Sequence, residues 1–510
     1  MESPRLGISA HAAATPNKAA LVSGDVARTF AEFEVRSSRL AAALAERGVR
    51  AGDRVAVMLP NGVEFFETWA AATKLDAPVV LVNWHLKADE LAYIVRDSKA
   101  RVLVAHRRLA AQYERALAGI DDCALVVVPD EYEAAIRDHH DAPARTIEAL
   151  DAPIFYTSGT TGRPKGVVHG RPDPGRARQN MGGQLALWGW TDDDTYIVTG
   201  PAYHAGPGGW TMAALYVGAT TVILESFDAR AWLDLVAAHH VTRTFMVPAH
   251  FIRILEVPEA ERRALDLSSL QLIVHAGAPC PVPVKRRIIG ALAPCEISEL
   301  YGMSEGGATR IAMSDWLERP GSVGRPWPGT EVRILDAEDG HPLGPGETGV
   351  IYVRPPGGAR FHYHDDDTKT ASAWRDDAFT VGDVGHLDED GSLYLTDRAV
   401  DMVIRGGVNV YPREIEEVLY AHPATREAVA VGVPDPTLGE EIAALVVLRD
   451  DAKADPSELE AFVRQRIADY KCPRLVVLVE DLPHGPSGKV LRREIDRIAL
   501  RDQLERTRGA

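Results

Sequence analysis

The sequence is poor in cysteine and has no long apolar run. Its four cysteines, among 510 residues, lie far apart and form no CxxC pair, so neither a disulfide framework nor a cysteine zinc site is expected. No run approaches the roughly 18 apolar residues that a membrane span requires. The first twenty residues include Glu2 and have no apolar core, unlike a signal peptide. We therefore expect no membrane span and a location in the reducing cytoplasm.

Positive charge is also in deficit, because 56 Lys and Arg residues stand against 73 Asp and Glu, a formal net charge of −17. Nucleic acid and anionic membranes repel such a chain, which excludes both as general partners. Hydrophobic residues make up 46% and charged residues 25% of the chain. These are the proportions of a globular protein rather than of a disordered one. The length corresponds to roughly two to four domains.

The first half of the chain alternates helical and strand-like segments. Residues 30–48 carry apolar side chains at helical spacing and end at Gly48, whereas RVAVM at 54–58 and PVVLV at 78–82 are rich in β-branched residues. The alternation returns between residues 195 and 300. Such alternation is typical of parallel sheets covered by helices. The predicted fold class is therefore α/β, with a large N-terminal domain of βα-built sheets flanked by helices.

The pattern changes near residue 320. Short alternating runs such as EVRIL and GVIYV are separated by turns rich in Gly and Pro, which predicts antiparallel strands in a small β-barrel-like subdomain. The last segment has strand and helix patterns of its own and predicts a small α/β domain. The predicted organisation is an N-terminal domain at 1–397, a hinge at 398–401 and a C-terminal domain at 402–510.

The most informative stretch is YTSGTTGRPKGVVHG, from Tyr156 to Gly170, which directly follows an apolar run. Glycines let backbone N–H groups approach a phosphate, hydroxyl groups add donors, and Lys165 adds positive charge. The stretch does not satisfy the Walker A pattern. On composition alone, a phosphate-binding loop and a plain surface turn are equally good interpretations.

The full string resembles the phosphate-binding signature of the adenylate-forming superfamily, which comprises acyl- and aryl-CoA synthetases, peptide adenylation domains and firefly-type luciferases. Four further segments resemble the family's motifs, in its order and at its spacing. They are YGMSE at 301–305, with Ser304 in place of Thr; VGDVGHLDEDG at 381–391, with Val381 in place of Thr; DRAVDMVIRGGVNVYPREIE at 397–416; and GPSGKVLRRE at 485–494. The chain most resembles an acyl- or aryl-CoA synthetase.

This resemblance implies that a carboxylic acid and ATP give an acyl-adenylate and pyrophosphate. It implies Mg²⁺ on Glu305, because this cation prefers oxygen ligands, and a hydrogen bond from Ser304 to the α-phosphate. It also implies catalysis by Lys489, whose ammonium would stabilise the charge passing between carboxylate and phosphate; a lone lysine there would instead be interpreted as solvated. The residues implied to bind ATP are Thr157, Ser158, Gly159, Thr160, Thr161, Gly162, Lys165, Gly277, Ala278, Pro279, Tyr301, Gly302, Met303, Ser304, Asp383, Arg398 and Lys489.

The resemblance further implies that the C-terminal domain is mobile and rotates between two half-reactions. The hinge would lie at Val400 and Asp401, although the family usually has a polar residue where this chain has Val400. Gly406 and Gly407 would then approach the pantetheine arm of coenzyme A, together with Tyr470 and Lys471, which belong to a weaker YKxP match.

The acyl pocket is marked less clearly. The resemblance places it near YHAGPGGW at 203–210, with His204 as a catalytic residue that contacts the acid. Bulk is small at Gly206, Gly208, Gly209 and Gly302, which predicts room for a bulky hydrophobic acid, whether fatty, aryl or polycyclic. Peptide adenylation domains usually have an Asp in this segment that holds the substrate ammonium. None occurs at 201–210, so an amino-acid substrate is disfavoured.

Two charged segments have plain alternatives. RPDPGRARQN at 171–180 is predicted to be an exposed loop, the alternative being contact with phosphates. HYHDDD at 362–367 is predicted to be a solvated charge run rather than a metal site.

The leading hypothesis is an acid–CoA ligase that uses ATP, Mg²⁺ and coenzyme A. The alternatives are an acyl-AMP ligase that loads a carrier-protein thiol, a luciferase-like oxygenase, and a non-catalytic binding protein. A homodimer is possible.

Overall fold

The computed structural model describes residues 6–140, 152–157, 164–170, 173–398, 401–405, 408–436, 438–486 and 488–508. In chain order the strands are β1 Ala19–Ser23, β2 Val26–Thr29, β3 Arg54–Met58, β4 Val79–Leu81, β5 Ala100–His106, β6 Ala124–Val128, β7 Ile154–Thr157, β8 Lys165–His169, β9 Thr195–Val198, β10 Thr220–Ile223, β11 Arg243–Met246, β12 Leu272–His275, β13 Glu296–Met303, β14 Gly306–Ile311, β15 Ser322–Pro326, β16 Glu331–Leu335, β17 Gly349–Arg354, β18 Phe361–Tyr363, β19 Trp374–Arg375, β20 Ala378–Phe379, β21 Asp383–Leu387, β22 Leu393–Arg398, β23 Val403–Arg405, β24 Val408–Val410, β25 Thr425–Asp435, β26 Gly439–Leu448 and β27 Leu475–Leu478.

The helices alternate with these strands through most of the first 300 residues. They are α1 Ile8–Ala14, α2 Phe30–Glu46, α3 Val63–Thr73, α4 Ala88–Ser98, α5 Ala110–Leu117, α6 Asp130–Asp138, α7 Pro174–Leu187, α8 Ala205–Val217, α9 Ala229–His239, α10 Pro248–Glu256, α11 Glu259–Arg263, α12 Val282–Leu292, α13 Met313–Glu318, α14 Asp367–Ala373, α15 Pro412–Tyr420, α16 Pro456–Arg464 and α17 Arg497–Arg508. No helix among these described residues is long and apolar enough to cross a bilayer.

The first sheet has the strand order β18-β8-β7-β4-β3-β5-β6. Its strands from β7 to β6 run parallel, and β8 and β18 add an antiparallel edge. The side chains of Val55, Ala56, Val57 and Met58 on β3 are all buried, as expected for a central strand with helices on both faces. Helix α2 begins at a capping box, in which the Thr29 side chain and Glu32 satisfy each other's backbone N–H groups.

The second sheet joins parallel βα units to the antiparallel subdomain. Strands β10, β9, β11, β12 and β13 run parallel, and β14 then returns antiparallel to β13. The pairing continues through β15, β22, β21, β17 and β20. The α/β prediction is confirmed, and the region predicted as barrel-like is an antiparallel extension of this second sheet.

The C-terminal segment forms a separate small sheet of order β24-β23-β26-β25, with β27 parallel to β26. The chain leaves the second sheet at Arg398 and enters this one at Val403, the interval in which the sequence predicts the hinge. The small domain packs on the large one through specific polar contacts. The Glu417 carboxylate accepts the N–H of Val282 at the start of α12 (2.9 Å), and the Arg413 guanidinium donates to the carbonyl of Leu395 (2.8 Å).

The segment at 171–180 differs from its prediction. Residues from Pro174 onward form helix α7, so the predicted loop is wrong for this part, although most of its residues are exposed as predicted, and residues 171–172 lie outside the described ones. The Asp173 side chain accepts the N–H of Arg176, and Pro174 occupies the first helical position. Both are strong helix-start signals, which outweighed the turn propensity of the two prolines.

Candidate active site

A cavity of about 490 Å³ lies at the carboxyl ends of the parallel strands of the second sheet. In open α/β sheets this edge is where ligands bind, because loops diverge there and leave a crevice. The segments after β9, β11 and β12 and the end of β13 form its walls, and the C-terminal domain closes it with Gly488 and Lys489. Its walls include His204, Gly206, Trp210, Phe245, His250, Gly277, Ala278, Gly302, Met303, Ser304, Glu305, Trp327, Tyr363, Lys369 and Lys489.

A second, smaller cavity of about 130 Å³ adjoins the first and shares Gly277, Ala278, Gly302, Met303 and Lys489 with it. The smaller cavity, but not the larger one, is lined by four other residues that the sequence implies at the nucleotide or the hinge: Pro279, Tyr301, Asp383 and Asp401.

The Tyr301 hydroxyl donates to Oδ2 of Asp383 at 2.7 Å. This bond joins the end of β13 to the start of β21, so two of the residues implied to bind ATP lie side by side. Gly302 has a local reason to be glycine. It pairs with Gly307 across the β13–β14 hairpin, and a Cβ atom at Gly302 would lie 3.1 Å from the Gly307 Cα.

Glu305 stands in a polar group that the sequence did not reveal. The Tyr363 hydroxyl donates to Oε1 of Glu305 at 2.8 Å, and the Lys369 ammonium lies 4.2 Å from the centre of the Tyr363 ring. Burial lowers the pKa of Lys369, and the Glu305 charge partly offsets this effect. Burial, followed by the charge of Glu305, raises the pKa of Tyr363. The prediction of a solvated charge run at 362–367 is wrong for Tyr363 and His364, which are buried.

Strand pairing explains this arrangement. Phe361, His362 and Tyr363 form β18, which pairs with β8 directly after the phosphate-loop sequence. The alternation of Phe361 and Tyr363 around His362 was the available signal, although three residues are too few to identify a strand alone. His169, at the end of β8, donates through Nε2 to the carbonyl of Ser304 at 2.8 Å, which ties the phosphate-loop strand to YGMSE.

Lys165 lies just outside the walls of both cavities. Its ammonium pairs with Asp366 at 3.1 Å, and this hydrogen bond raises the pKa of Lys165. Asp366 also accepts the N–H of Lys369 and so begins helix α14. Ser158, Gly159, Thr160, Thr161 and Gly162, together with Val400, Gly406 and Gly407, lie outside the described residues. For Thr157 and Arg398 the structure describes the backbone course only.

A tight turn brings Lys489 to both cavities. The N–H of Gly485 donates to the carbonyl of Lys489, and the N–H of Gly488 donates to the carbonyl of Gly485, each at 2.8 Å. Gly488 has a φ of +77°, and a Cβ atom there would lie 2.9 Å from the Cβ of Ala249 on α10. Glycine is therefore required both by the turn and by the close approach of the two domains.

His204 lines the larger cavity in its neutral form. Burial, followed by repulsion from His85, lowers its pKa to about 4. Its Nε2 atom is buried and has no hydrogen-bond partner within the part of the chain that the structure describes. A buried imidazole nitrogen without a partner is costly, and a substrate oxygen or hydroxyl could satisfy it.

The sequence predicts that the glycines of YHAGPGGW leave room in the acyl pocket, but not all of them line the cavity. Gly206 lines it, but Gly208 and Gly209 are not among its walls. A Cβ atom at Gly208 would lie 2.1 Å from the carbonyl oxygen of Ala202, so this glycine serves helix packing. A Cβ atom at Gly209 would meet nothing within 4 Å.

Tyr470 and Lys471, the two predicted pantetheine residues that the structure describes, lie away from both cavities. Tyr470 is exposed, and Lys471 forms an ion pair with Glu414 at 2.7 Å. Neither side chain lines either cavity. Of the described residues, the structure thus brings those at 277–279, 301–305, 383 and 489 together around the two cavities and leaves Tyr470 and Lys471 elsewhere on the C-terminal domain.

Comparisons with known proteins agree with this geometry. The family model described as AMP-binding enzyme matches residues 8–363, and that described as AMP-binding enzyme C-terminal domain matches residues 414–489. A feruloyl-CoA synthase from Amycolatopsis sp is 35% identical, with 95% of this chain and 96% of that protein covered. A fatty acid–[acyl-carrier-protein] ligase from Streptomyces coeruleorubidus is 32% identical, with 95% and 94% covered.

A solved structure shares the whole architecture. The o-succinylbenzoate CoA synthetase from Bacillus subtilis, in complex with its acyl-adenylate intermediate, superposes with a TM-score of 0.82 at 27% identity and covers 97% of this chain and 98% of that one. The chain belongs to the AMP-binding enzyme family of the adenylate-forming superfamily and is an AMP-forming acid–thiol ligase.

Proposed function

We propose that the protein joins a hydrophobic carboxylic acid to coenzyme A in two steps at this one site. The observation that carries the proposal is the position of Lys489 on the wall of both cavities. One cavity has the aromatic residues suited to an acyl group, and the other has Tyr301 and Asp383, suited to a nucleoside. A cation at their junction lies where a carboxylate and an α-phosphate would meet.

In the first step a carboxylate oxygen attacks the α-phosphorus of ATP, the bond from that phosphorus to the bridging oxygen breaks, and pyrophosphate leaves. Both reactants are anions, so the main task is to neutralise charge and hold them together. Lys489 does this at the reacting atoms, and Lys369 adds a second ammonium on the same wall. The Asp383 carboxylate is suited to accept hydroxyl groups of the ribose.

Glu305 has the donor chemistry for magnesium, because a carboxylate is a hard oxygen ligand and this one faces the cavity. The ion, when bound, neutralises phosphate charge. Tyr363 holds one carboxylate oxygen in position through the hydrogen bond described above, and this fixes the direction of the other.

In the second step the thiol sulfur attacks the carbonyl carbon of the acyl-adenylate, the bond from that carbon to the phosphate oxygen breaks, and AMP leaves as the thiol proton passes to solvent. Tyr470 and Lys471 do not reach the cavities in the present conformation. We therefore propose that the C-terminal domain rotates about residues 398–401 between the two steps, which brings the segment at Gly406 and Gly407 to the adenylate.

Coenzyme A is the proposed acceptor, as the name of the feruloyl relative indicates for that enzyme. A carrier-protein thiol is the second candidate, because the other relative is named as a carrier-protein ligase. We also propose a cytoplasmic location. The four cysteines are buried and unpaired by disulfides, which suits a reducing compartment. We propose a homodimer as the oligomeric state, which a measurement of molecular mass in solution would test.

The test is ATP–pyrophosphate exchange over a panel of acids, followed by mass detection of products with coenzyme A and, separately, with a phosphopantetheinylated carrier protein. Acyl-CoA formation supports the proposal. Exchange together with a thioester on the carrier protein alone would identify the carrier-protein thiol, rather than coenzyme A, as the acceptor. Absence of exchange with every acid would contradict the proposed reaction.

A further inference from the structure

The larger cavity carries little charge. Its ionisable wall residues within the described chain are His204, His250, Glu305, Tyr363, Lys369 and Lys489. Both histidines are neutral near pH 7, because burial lowers the pKa of His204 to about 4 and that of His250 to about 3. Tyr363 stays protonated. The remaining charges, on Glu305, Lys369 and Lys489, belong to the group already assigned to the phosphates and the reacting carboxylate.

Another part of the cavity wall is aromatic. The rings of Trp210 and Phe245 have centroids 5.7 Å apart, and both line the cavity. Gly206 lets the Phe245 ring come close, since a Cβ atom there would lie 2.3 Å from the ring. Trp327 lines the same cavity beside Gly307, where a Cβ atom would lie 2.5 Å from the Trp327 ring. Aromatic walls of this kind favour a flat aromatic guest, which gains both burial and ring contacts.

Trp210 is held from behind and cannot withdraw easily. Its ring lies 5.2 Å from that of Trp188 and 5.8 Å from that of Trp190, and both of these are buried. The Arg243 guanidinium lies 5.4 Å from the Trp190 ring and donates to the carbonyl of Trp188 at 2.8 Å.

Arg243 makes two further polar contacts in this support. It forms an ion pair with Asp194 at 2.7 Å and donates to the carbonyl of Gly189 at 2.6 Å. It is therefore a brace for the indoles and is absent from the cavity wall. Arg310, which lies 5.5 Å from the Trp188 ring, is likewise not among the lining residues. Within the described chain, a second carboxylate beside the aromatic residues would therefore meet no cation on the cavity wall.

We propose that the substrate is a flat aromatic acid whose only charged group is the reacting carboxylate, and that Trp210 limits its length. This inference rests on the proposed function and narrows its substrate class. A long flexible chain that extended past Trp210 would have to displace an indole that packs against two buried ones. A dicarboxylic acid would have to bury its second charge against uncharged aromatic groups, which is strongly unfavourable.

The test compares three acids by ATP–pyrophosphate exchange, which reports adenylation without any thiol. Cinnamic acid has the proposed shape, 4-carboxycinnamic acid adds a charge at the far end, and decanoic acid is a flexible chain. For the wild type we expect kcat/KM for cinnamate to exceed that for the diacid by about 100-fold or more and that for decanoate by about 10-fold or more. The magnitudes follow from burying an unpaired charge and from steric exclusion.

Two substitutions then test Trp210 itself. Trp210→Ala should raise the ratio of decanoate to cinnamate activity by about 10-fold, because it opens the end of the cavity. Trp210→Phe keeps an aromatic wall and should change that ratio by less than about threefold. The wild-type panel stands by itself should either variant fold poorly.

The outcomes distinguish failure of the substrate inference from failure of the proposed ligase function. A wild-type preference for decanoate or for the diacid overturns this inference and leaves the ligase function intact. So does a Trp210→Ala variant that folds and keeps the wild-type ratio. Absence of exchange with every acid overturns the proposed function and the inference together.

Discussion

The close approach of Gly488 to Ala249 gives a prediction about the docking of the C-terminal domain. In Gly488→Ala the new Cβ would lie 2.9 Å from the Ala249 Cβ, whereas ordinary contacts between such atoms begin near 3.4 Å. A methyl group of alanine cannot rotate away, so the domains must separate by about half an ångström. Lys489 is the next residue and would move with the turn.

The magnitude follows from the cost of overpacking. An extra methyl group in a well-packed contact costs about 1–3 kcal/mol, and each 1.4 kcal/mol is tenfold in rate or equilibrium. Adenylation should therefore fall by roughly 5- to 150-fold. Alanine at this position would also have to adopt the positive φ of Gly488, which costs about 1–2 kcal/mol within the turn itself. This strain lowers the stability of the small domain whether or not it is docked.

The contact offers its own control. Ala249→Gly removes the opposing methyl group and costs at most about 1 kcal/mol of helix stability, since Ala249 lies in the first turn of α10. The single variant should keep adenylation within about threefold of wild type. The double variant should recover most of the loss caused by Gly488→Ala, because the two substitutions act on one contact.

The assay is single-turnover adenylation by rapid quench, beside thioester formation from supplied acyl-adenylate. The first rate should fall in Gly488→Ala and return in the double variant, while the second stays near wild type. Equal losses in both half-reactions would refute the reasoning. A double variant no better than Gly488→Ala would refute it as well, because the damage would then come from the turn alone.

Three further outcomes are expected. Lys489→Ala should reduce adenylation by about 100- to 1,000-fold, as for loss of one transition-state donor, and should spare thioester formation from acyl-adenylate. The control Lys453→Ala, on an exposed loop, should change neither rate. Equal losses in both half-reactions for Lys489→Ala would contradict its role. Tyr363→Phe removes the hydrogen bond to Glu305 and should raise the half-saturating Mg²⁺ concentration about tenfold, and an unchanged magnesium titration would contradict the position given to Glu305. Burial lowers the pKa of His250 from its ordinary value of about 6.5 to about 3 in the folded state, so the unfolded state holds more protons between these values and the free energy of unfolding rises with pH there. From pH 7 to pH 5 this group should account for about 2 kcal/mol of lost stability. Urea unfolding of His250→Gln should therefore show a smaller loss of stability between these pH values than the wild type, and an equal loss would contradict the prediction.

The sequence predicted the sheets well because their signal is local. Runs such as RVAVM form a buried parallel strand whose residues need no distant partner to reveal their type. The motif residues Tyr301, Ser304 and Asp383 also came from local strings, and the structure places them around two adjoining cavities.

What the sequence could not predict depends on contacts between distant segments. Tyr363 and Lys369 belong to a charged stretch, and only the pairing of β18 with β8 places them beside Glu305. Gly208 was assigned to the acyl pocket by its small size, although its glycine is required by the carbonyl of Ala202. The aromatic wall joins Trp210 to Phe245, which are 35 positions apart (245 − 210) with no shared pattern.

The placement of the C-terminal domain bears on the rotation proposed between the two half-reactions. Lys489 lines both cavities, whereas Tyr470 and Lys471, in the same small domain, line neither. The Lys471–Glu414 ion pair lies within that domain and so does not oppose its rotation. The contacts that do oppose it include polar ones, such as Glu417 with Val282, and apolar ones, such as Tyr420 against the core of the large domain and Gly488 against Ala249. Interfaces of this kind are easily broken and re-formed, and pyrophosphate release removes negative charge from the side of the cavity that Lys489 faces. Rotation after adenylation is therefore the direction that the charge distribution favours.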